Sequence, residues 1–309
     1  MNGVDVSVII VTYNSDFEKL KKTIKSVICQ KNVDFEVIVC DDGSKIDFSA
    51  ETDTFFKENH FTNYTIIRNP ENLGTIKNID SGLKTAKGEY VYTISPGDFL
   101  YDENTIAEFL HFAREKQAKI CFGNYIKYSY ENQNLTLYAD NYNPRCPERY
   151  TKGLPYSKAA FFLIEDNICG IAYFRQTEFF KNAIKCIKEY ARYAEDGTTT
   201  AWGLMQEINI VYFDRNISWY EYGTGISAEG KTEWGKKIKQ DYDGVYEYLY
   251  SEYPKSAELS VRKNQYIRFD FLIRYPIVAW RKNKLNKLPN RAVTITEQDK
   301  EKLLKLLKG

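Results

Sequence analysis

The chain is poor in histidine and methionine, with 2 of each among 309 residues, so histidine-based metal cages have almost nothing to draw on. His60 and His111 stand far apart, without partners at ligand spacing. Six cysteines, at positions 29, 40, 121, 146, 169 and 186, form no Cys-x-x-Cys pair and no cysteine–histidine cluster. That excludes zinc modules and reads as free core thiols of a protein in the reducing cytosol. No run of about 18 apolar residues occurs, so no helix long enough to span a bilayer is expected. A basic lead-in and export-type apolar stretch are also missing from the start. Neither sign of charge dominates: 43 basic residues face 42 acidic ones for a net +1, so no nucleic acid is called for as a partner. No Gly-x-x-x-x-Gly-Lys-Ser/Thr occurs, which sets aside the phosphate loop of ATPases.

What is present is foldable. With 43% hydrophobic, 28% charged and 15% aromatic residues, the chain can build one α/β core of roughly 200 residues plus an appendage. Residues 6–11 are apolar and β-branched throughout, as in a strand covered on both faces. Apolar positions Phe17, Leu20, Ile24, Val27 and Ile28 follow at helical spacing behind a capping Asp16. The unit repeats with strands at 35–39, 64–67 and 90–94 and helices at 48–58, 75–87 and 102–116. This alternation predicts an open, mostly parallel, doubly wound sheet. Beyond it the pattern predicts a strand at 120–122, a hairpin around 131–134, a strand at 169–174, a helix at 178–193 and strands at 208–213 and 217–222. We place the compact α/β domain at 1–228 and a helical, basic C-terminal extension at 229–309.

Three polar clusters fall at the carboxyl ends of predicted parallel strands, the edge at which open α/β sheets bind ligands. They are Thr12-Tyr13-Asn14, Asp41-Asp42-Gly43-Ser44 and Ser95-Pro96-Gly97-Asp98. Each alone is ordinary turn chemistry; their conjunction points to a site. Carboxylates repel a pyrophosphate unless a cation lies between them, so a divalent metal is expected. A carboxylate at a strand end also suits the imide N–H of uracil or the hydroxyls of ribose. A Gly-x-Gly-x-x-Ala match at 223–228 lies far from the first strand and precedes polar residues, the wrong context for a dinucleotide fingerprint.

These clusters, with Asn69-Pro70-Glu71-Asn72-Leu73-Gly74 and Gly88 to Asp98, resemble in order and spacing the family-two glycosyltransferases of GT-A fold. The resemblance covers about residues 4–110 and returns at Ala194-Glu195-Asp196. It implies an inverting transfer of a sugar from a nucleotide diphosphate, UDP ahead of GDP or dTDP, to a hydroxyl of a glycan or glycolipid, as in polysaccharide synthesis. It assigns Thr12, Tyr13, Asn14, Asp41, Asp42, Ser95 and Gly97 to the nucleotide sugar, with Lys77 near its phosphates. Asp98 is assigned to Mg²⁺ or Mn²⁺ and Asp196 to the general base. In the family the run ending the fourth strand usually carries more aspartates; here Ser95 and Gly97 stand in place of two of them. A nucleotide-sugar-binding protein without catalysis therefore stays open, as does a sugar nucleotidyltransferase, although the latter would want a basic, glycine-rich loop after the first strand.

The segment 222–227 has the glycines of a mobile lid. Between Arg262 and Arg291 nine basic residues meet one acid, Asp270, among many aromatics. That mixture suits a lipid headgroup layer on the inner face of a cell membrane, or packing on the catalytic domain with the charges in water. The leucine stripe at 303–307 could pair with a second chain in a homodimer or face the core.

Overall fold

The computed structural model describes residues 3–140, 142–223, 233–264, 272–291 and 293–308. Val6–Thr12 (β1), Phe17–Ile28 (α1), Phe35–Asp41 (β2), Ser49–Glu58 (α2), Tyr64–Arg68 (β3), Thr75–Thr85 (α3) and Tyr90–Ile94 (β4) alternate as the periodicity predicts. The reason is local. β1 and β2 are buried along almost their whole length, and each fully buried Val or Ile contributes about 1.5–3 kcal/mol. α1 starts where Asp16 accepts the Lys19 N–H at 3.0 Å, and it turns Leu20, Ile24 and Val27 inward.

A two-residue strand, Phe99–Leu100 (β5), precedes helix Thr105–Glu115 (α4) and the hairpin of Ile120–Glu131 (β6) with Asn134–Tyr138 (β7). Next come Leu154–Lys158 (α5), a wider helical turn Ala159–Leu163, strand Tyr173–Gln176 (β8), helices Thr177–Ile187 (α6) and Glu195–Met205 (α7), and strand Ile210–Glu221 (β9). The sheet runs β3-β2-β1-β4-β8-β6-β9-β5, with β7 on β6. Pairs among β3, β2, β1 and β4 are parallel, and beyond β4 antiparallel pairs enter through β8 and β5.

Three expectations change. The strand expected at 169–174 begins later, because Gly170–Ala172 forms a 3-10 turn. The helix expected at 178–193 stops at Ile187. The two strands expected between 208 and 222 are one, β9, which crosses the polar residues 214–216 while pairing parallel with β6 through a register shift at Asn124.

The C-terminal part forms Glu233–Glu252 (α8), Ala257–Asn264 (α9), Pro276–Asn286 (α10) and Glu297–Lys308 (α11). Val245, Leu249, Leu259, Val278, Ala279 and Leu285 join the same apolar core as β1 and β2. In α11, Leu303 and Leu307 are buried with Phe99, Ile126, Tyr128 and Trp219, so this stripe faces the chain's own core instead of a second chain. Among the described residues no helix is long and apolar enough to cross a membrane. All six cysteines are free; Cys40, Cys121 and Cys146 are buried as expected, whereas Cys29 is exposed at the end of α1. Residues 224–227 of the expected lid, and 265–271 of the basic segment, lie outside the described residues.

Candidate functional site

Parallel register sets the first half of the site. Thr12 pairs with Asp41, and Asp41 with Arg68, so three polar residues end three adjacent strands side by side. Asp41 accepts from Arg68 Nη1 at 2.8 Å and from the Ser44 backbone N–H at 3.2 Å. Asn14, in the left-handed region at φ +49°, locks the first two loops together. Its N–H donates to Ser44 Oγ at 2.7 Å, and its Oδ1 accepts from the Lys45 N–H at 2.9 Å. A shallow hollow, with a volume of about 20 Å³, opens against Thr12, Asp41, Ser44, Leu20, Val39 and Phe48. Tyr13 stands exposed beside it.

Asp42, the first residue past β2, turns the other way. Its buried carboxylate accepts from the Leu73 N–H at 2.9 Å, the Gly74 N–H at 2.8 Å and Asn69 Nδ2 at 3.1 Å. It thus shapes the 69–74 loop in front of α3 and does not line the hollow that Asp41 lines. Lys77 is exposed on the first turn of α3. From the far side, Arg192 donates to the Asn72 carbonyl at 2.7 Å, and its own carbonyl accepts the Ile76 N–H at 3.1 Å.

The turn after β4 explains the missing aspartates. Asp98 N–H donates to Ser95 C=O at 3.0 Å, with Pro96 and Gly97 between them, and Gly97 has φ +98°. That is a type II turn, which wants proline second and glycine third. A side chain at 97 would also strike Glu221: its Cβ would come within 2.2 Å of Glu221 Oε2. The space of the absent aspartate is filled by a carboxylate from β9. The Glu221 N–H donates to Asp98 Oδ1 at 2.9 Å, and Lys19 Nζ holds both Glu221 carboxylate oxygens at 2.7 Å. Burial pushes the Asp98 carboxyl up to about 8, with Glu221's charge adding to the rise. Among the described residues no group of three histidine, cysteine, aspartate or glutamate side chains could hold a metal. The pair Asp98 and Glu221 does offer hard oxygens. Ions such as Mg²⁺ and Mn²⁺ take one or two carboxylates and fill their shells from phosphates and water, but here Lys19 already holds both Glu221 oxygens.

The last element is α7. Glu195 and Asp196 open it and diverge. Glu195 points inward to Arg175, with Nη2 and Oε1 3.0 Å apart, and the guanidinium rests on Tyr173 and Phe180. Burial outweighs that pairing and lifts the Glu195 carboxyl to about 7. Asp196 is half-buried, accepts the Gly197 N–H at 2.7 Å and lies against Gly170; burial raises its carboxyl as well. Cys169 joins the acidic groups: burial first, then the charges of Asp196 and Asp98, push its thiol to about 12. Asp98 and Asp196 are therefore both within electrostatic reach of one sulfur, while Asp42 organises a loop on the side of α3.

The turn before Asp196 is held by the C-terminal extension. Asp241 of α8 accepts the Tyr193 N–H at 2.6 Å and the Ala194 N–H at 2.9 Å. Tyr242 sits so close that a Cβ on Gly197 would lie 1.8 Å from its hydroxyl. Glu221, Arg68, Arg192 and Asp241 escaped the sequence reading. Only Arg68 left a signal, as the residue that follows the predicted strand at 64–67.

Solved and curated proteins resemble this chain. The structure of Staphylococcus aureus TarS 1–349 in complex with UDP-GlcNAc superposes with a TM-score of 0.61 over 91% of this chain and 79% of that one, at 16% identity, which shows a common fold. The Poly(ribitol-phosphate) beta-N-acetylglucosaminyltransferase TarP of Staphylococcus aureus is 27% identical over 84% of this chain and 68% of its own length. Glycosyltransferase GlyG of Streptococcus pneumoniae is 29% identical over 43% of each chain, so the match spans less than half of that relative. The sequence pattern of Glycosyl transferase family 2 matches residues 7–177, more than half of the chain, and this protein belongs to that family.

Proposed function

We propose that this chain transfers a sugar from a nucleotide diphosphate, most simply UDP, to a hydroxyl of a glycan or lipid-linked acceptor with inversion at the anomeric carbon. The observation that carries the reading is the row of polar residues ending adjacent parallel strands, Thr12 beside Asp41 and Asp41 beside Arg68, in a chain of Glycosyl transferase family 2. Thr12, Tyr13 and Asp41 would receive the nucleoside, with Asn14, Ser44 and Arg68 fixing their loops. Asp42 would act by holding the 69–74 loop, and Lys77 and Arg192 would face the phosphates from the start of α3 and the turn before α7. Ser95 and Gly97 would meet the diphosphate through backbone groups of the tight turn.

Asp98 and Glu221 would hold Mg²⁺ or Mn²⁺, which would offset charge on the departing diphosphate. Lys19, already paired with Glu221, would add a second positive charge there. Asp196 would take the proton from the acceptor hydroxyl as it attacks. A carboxyl whose basicity is raised by burial is better matched to that step than an ordinary aspartate. The TarS complex with UDP-GlcNAc and the polymeric acceptor in TarP's name support a UDP-sugar and a polymer acceptor. Six free thiols suit a reducing compartment.

The test is a thermal-shift panel of nucleotide sugars with and without Mn²⁺, followed by transfer assays with Asp196→Asn. A ligand at ~100 times its dissociation constant adds about 2.7 kcal/mol. Inversion requires that the product anomer, read by NMR, be opposite to the donor's. Retained configuration, or full transfer by Asp196→Asn, would contradict the assignment. Donor binding without any turnover would favour the binding-only reading.

A further inference from the structure

Among the described residues, exposed large apolar side chains concentrate in one place: Leu272 at 42% exposure, Ile273 at 67%, Ile277 at 64% and Trp280 at 56%. The last two belong to α10, a helix that is apolar on two sides. One side, Val278, Ala279 and Leu285, is buried against α5 and the turn Ala159–Leu163. The other carries Ile277 and Trp280, three residues apart and so neighbours on the helix surface. Lys284 stands one turn further on, its Nζ 5.0 Å from the Trp280 ring. Helices with apolar residues on opposite sides are normally covered on both. Among the described residues the fold covers one.

The charges around the bare side are of one sign. Residues 272–291 contain six basic residues and no acid, although the whole chain has a net charge of only +1, so the remainder is net acidic. Arg274, Lys284 and Lys287 are exposed. Aliphatic and indole side chains edged by long-stemmed cations match the boundary between anionic lipid headgroups and acyl chains. A second copy of this chain is a poorer occupant, because twofold pairing through this face would bring like charges together.

We propose that residues 272–287 form a docking surface for an anionic lipid bilayer. Ile273, Ile277 and Trp280 enter the headgroup layer, and the flanking lysines and arginines rest on lipid phosphates. The surface is independent of the donor chemistry above, and its failure would leave that reading intact.

Cosedimentation of the full chain with phosphatidylcholine vesicles, with and without phosphatidylglycerol, tests it. The expected result is binding to the mixed vesicles that weakens as salt rises. The double variant Ile277→Glu/Trp280→Glu should lose about tenfold or more. Lys284→Glu/Lys287→Glu should lose mainly the salt-sensitive part. Both variants should keep the wild-type melting transition and donor turnover, showing that they fold. Failure of the wild type to bind mixed vesicles at low salt would overturn the proposal, as would undiminished binding by the Ile277→Glu/Trp280→Glu protein. A dimer in light scattering that this double variant converts to monomer, without lipid binding, would give the face to a second copy instead.

Discussion

Replacing Asp241 with alanine cuts both hydrogen bonds that tie α8 to the turn before Asp196, and the geometry sets the size of the effect. The Tyr193 and Ala194 N–H groups donate to the same oxygen, Oδ2, at 2.6 and 2.9 Å, and the Asp241 side chain is buried. Hydrogen bonds to a charged group contribute about 1.5–3 kcal/mol each. Two that share one acceptor should together be worth about 3 kcal/mol. In a chain of this size that lowers the melting temperature by roughly 6 °C. The turn it releases leads directly into α7, so Asp196 loses its fixed position. A misplacement of about 1 Å at a reacting group costs on the order of a hundredfold in rate. Differential scanning fluorimetry and steady-state kinetics read the two effects separately: kcat should fall, and the donor KM should rise with it, since the same turn carries Arg192 against the 69–74 loop. Asp241→Asn can place its amide oxygen where Oδ2 sits and should recover a large part of both losses. An Asp241→Ala protein with wild-type melting and wild-type kcat would refute the claim that the C-terminal extension is built into the site.

Burial raises the Asp196 carboxyl, and in the base role proposed for it this group works only when deprotonated. A pH–rate profile should therefore show kcat/KM full above the raised value and lost as pH falls through it, with the acid limb higher than that of an ordinary aspartate; Asp196→Asn should lose about 10²–10⁴-fold. Glu195 is lifted to about 7 in the folded chain from an ordinary 4.5. Its contribution is thus favourable at low pH and is lost as pH rises from about 4.5 to 7, by up to about 3 kcal/mol. Urea titrations at several pH values should find that slope reduced in Glu195→Gln. Arg175→Met alone strands a buried carboxyl and should cost about 3–5 kcal/mol, most of which the double variant Arg175→Met/Glu195→Leu should restore. Asp42→Ala removes the acceptor of three donors and should cost about 3 kcal/mol or more. Isothermal titration should show donor affinity falling with it, more than for Asp42→Asn.

The parallel half of the fold was legible because its strands are covered on both faces. A run such as residues 6–11 has one reading, and the polar clusters at the ends of the strands fall where strand geometry puts them. β9 was not legible: residues 214–216 are polar and break the apolar run, yet the strand continues through them because β6 pairs alongside. The C-terminal leucines of α11 fit a core or a partner equally well by period alone, and only the pocket around Trp219 decides between them. Within the site, residues contributed by local motifs could be named from sequence. Those recruited over distance could not. Glu221 meets Asp98 across 123 positions and Asp241 meets Tyr193 across 48, and no local periodicity encodes such pairings. Successive aspartates 41 and 42 look interchangeable as text, but the first ends β2 at the hollow and the second, just past the strand, turns to the 69–74 loop.

The filling of residue 97's empty space by Glu221 constrains how this protein can change over evolutionary time. An acid introduced at 97 would collide with the one already borrowed from β9, while trimming Glu221 alone would leave Lys19 without its counter-ion. The two positions are therefore expected to drift as a couple, each exchange tolerated only after the other. Descendants of one ancestor could carry the same acidic function at either address, but not by a single step between them.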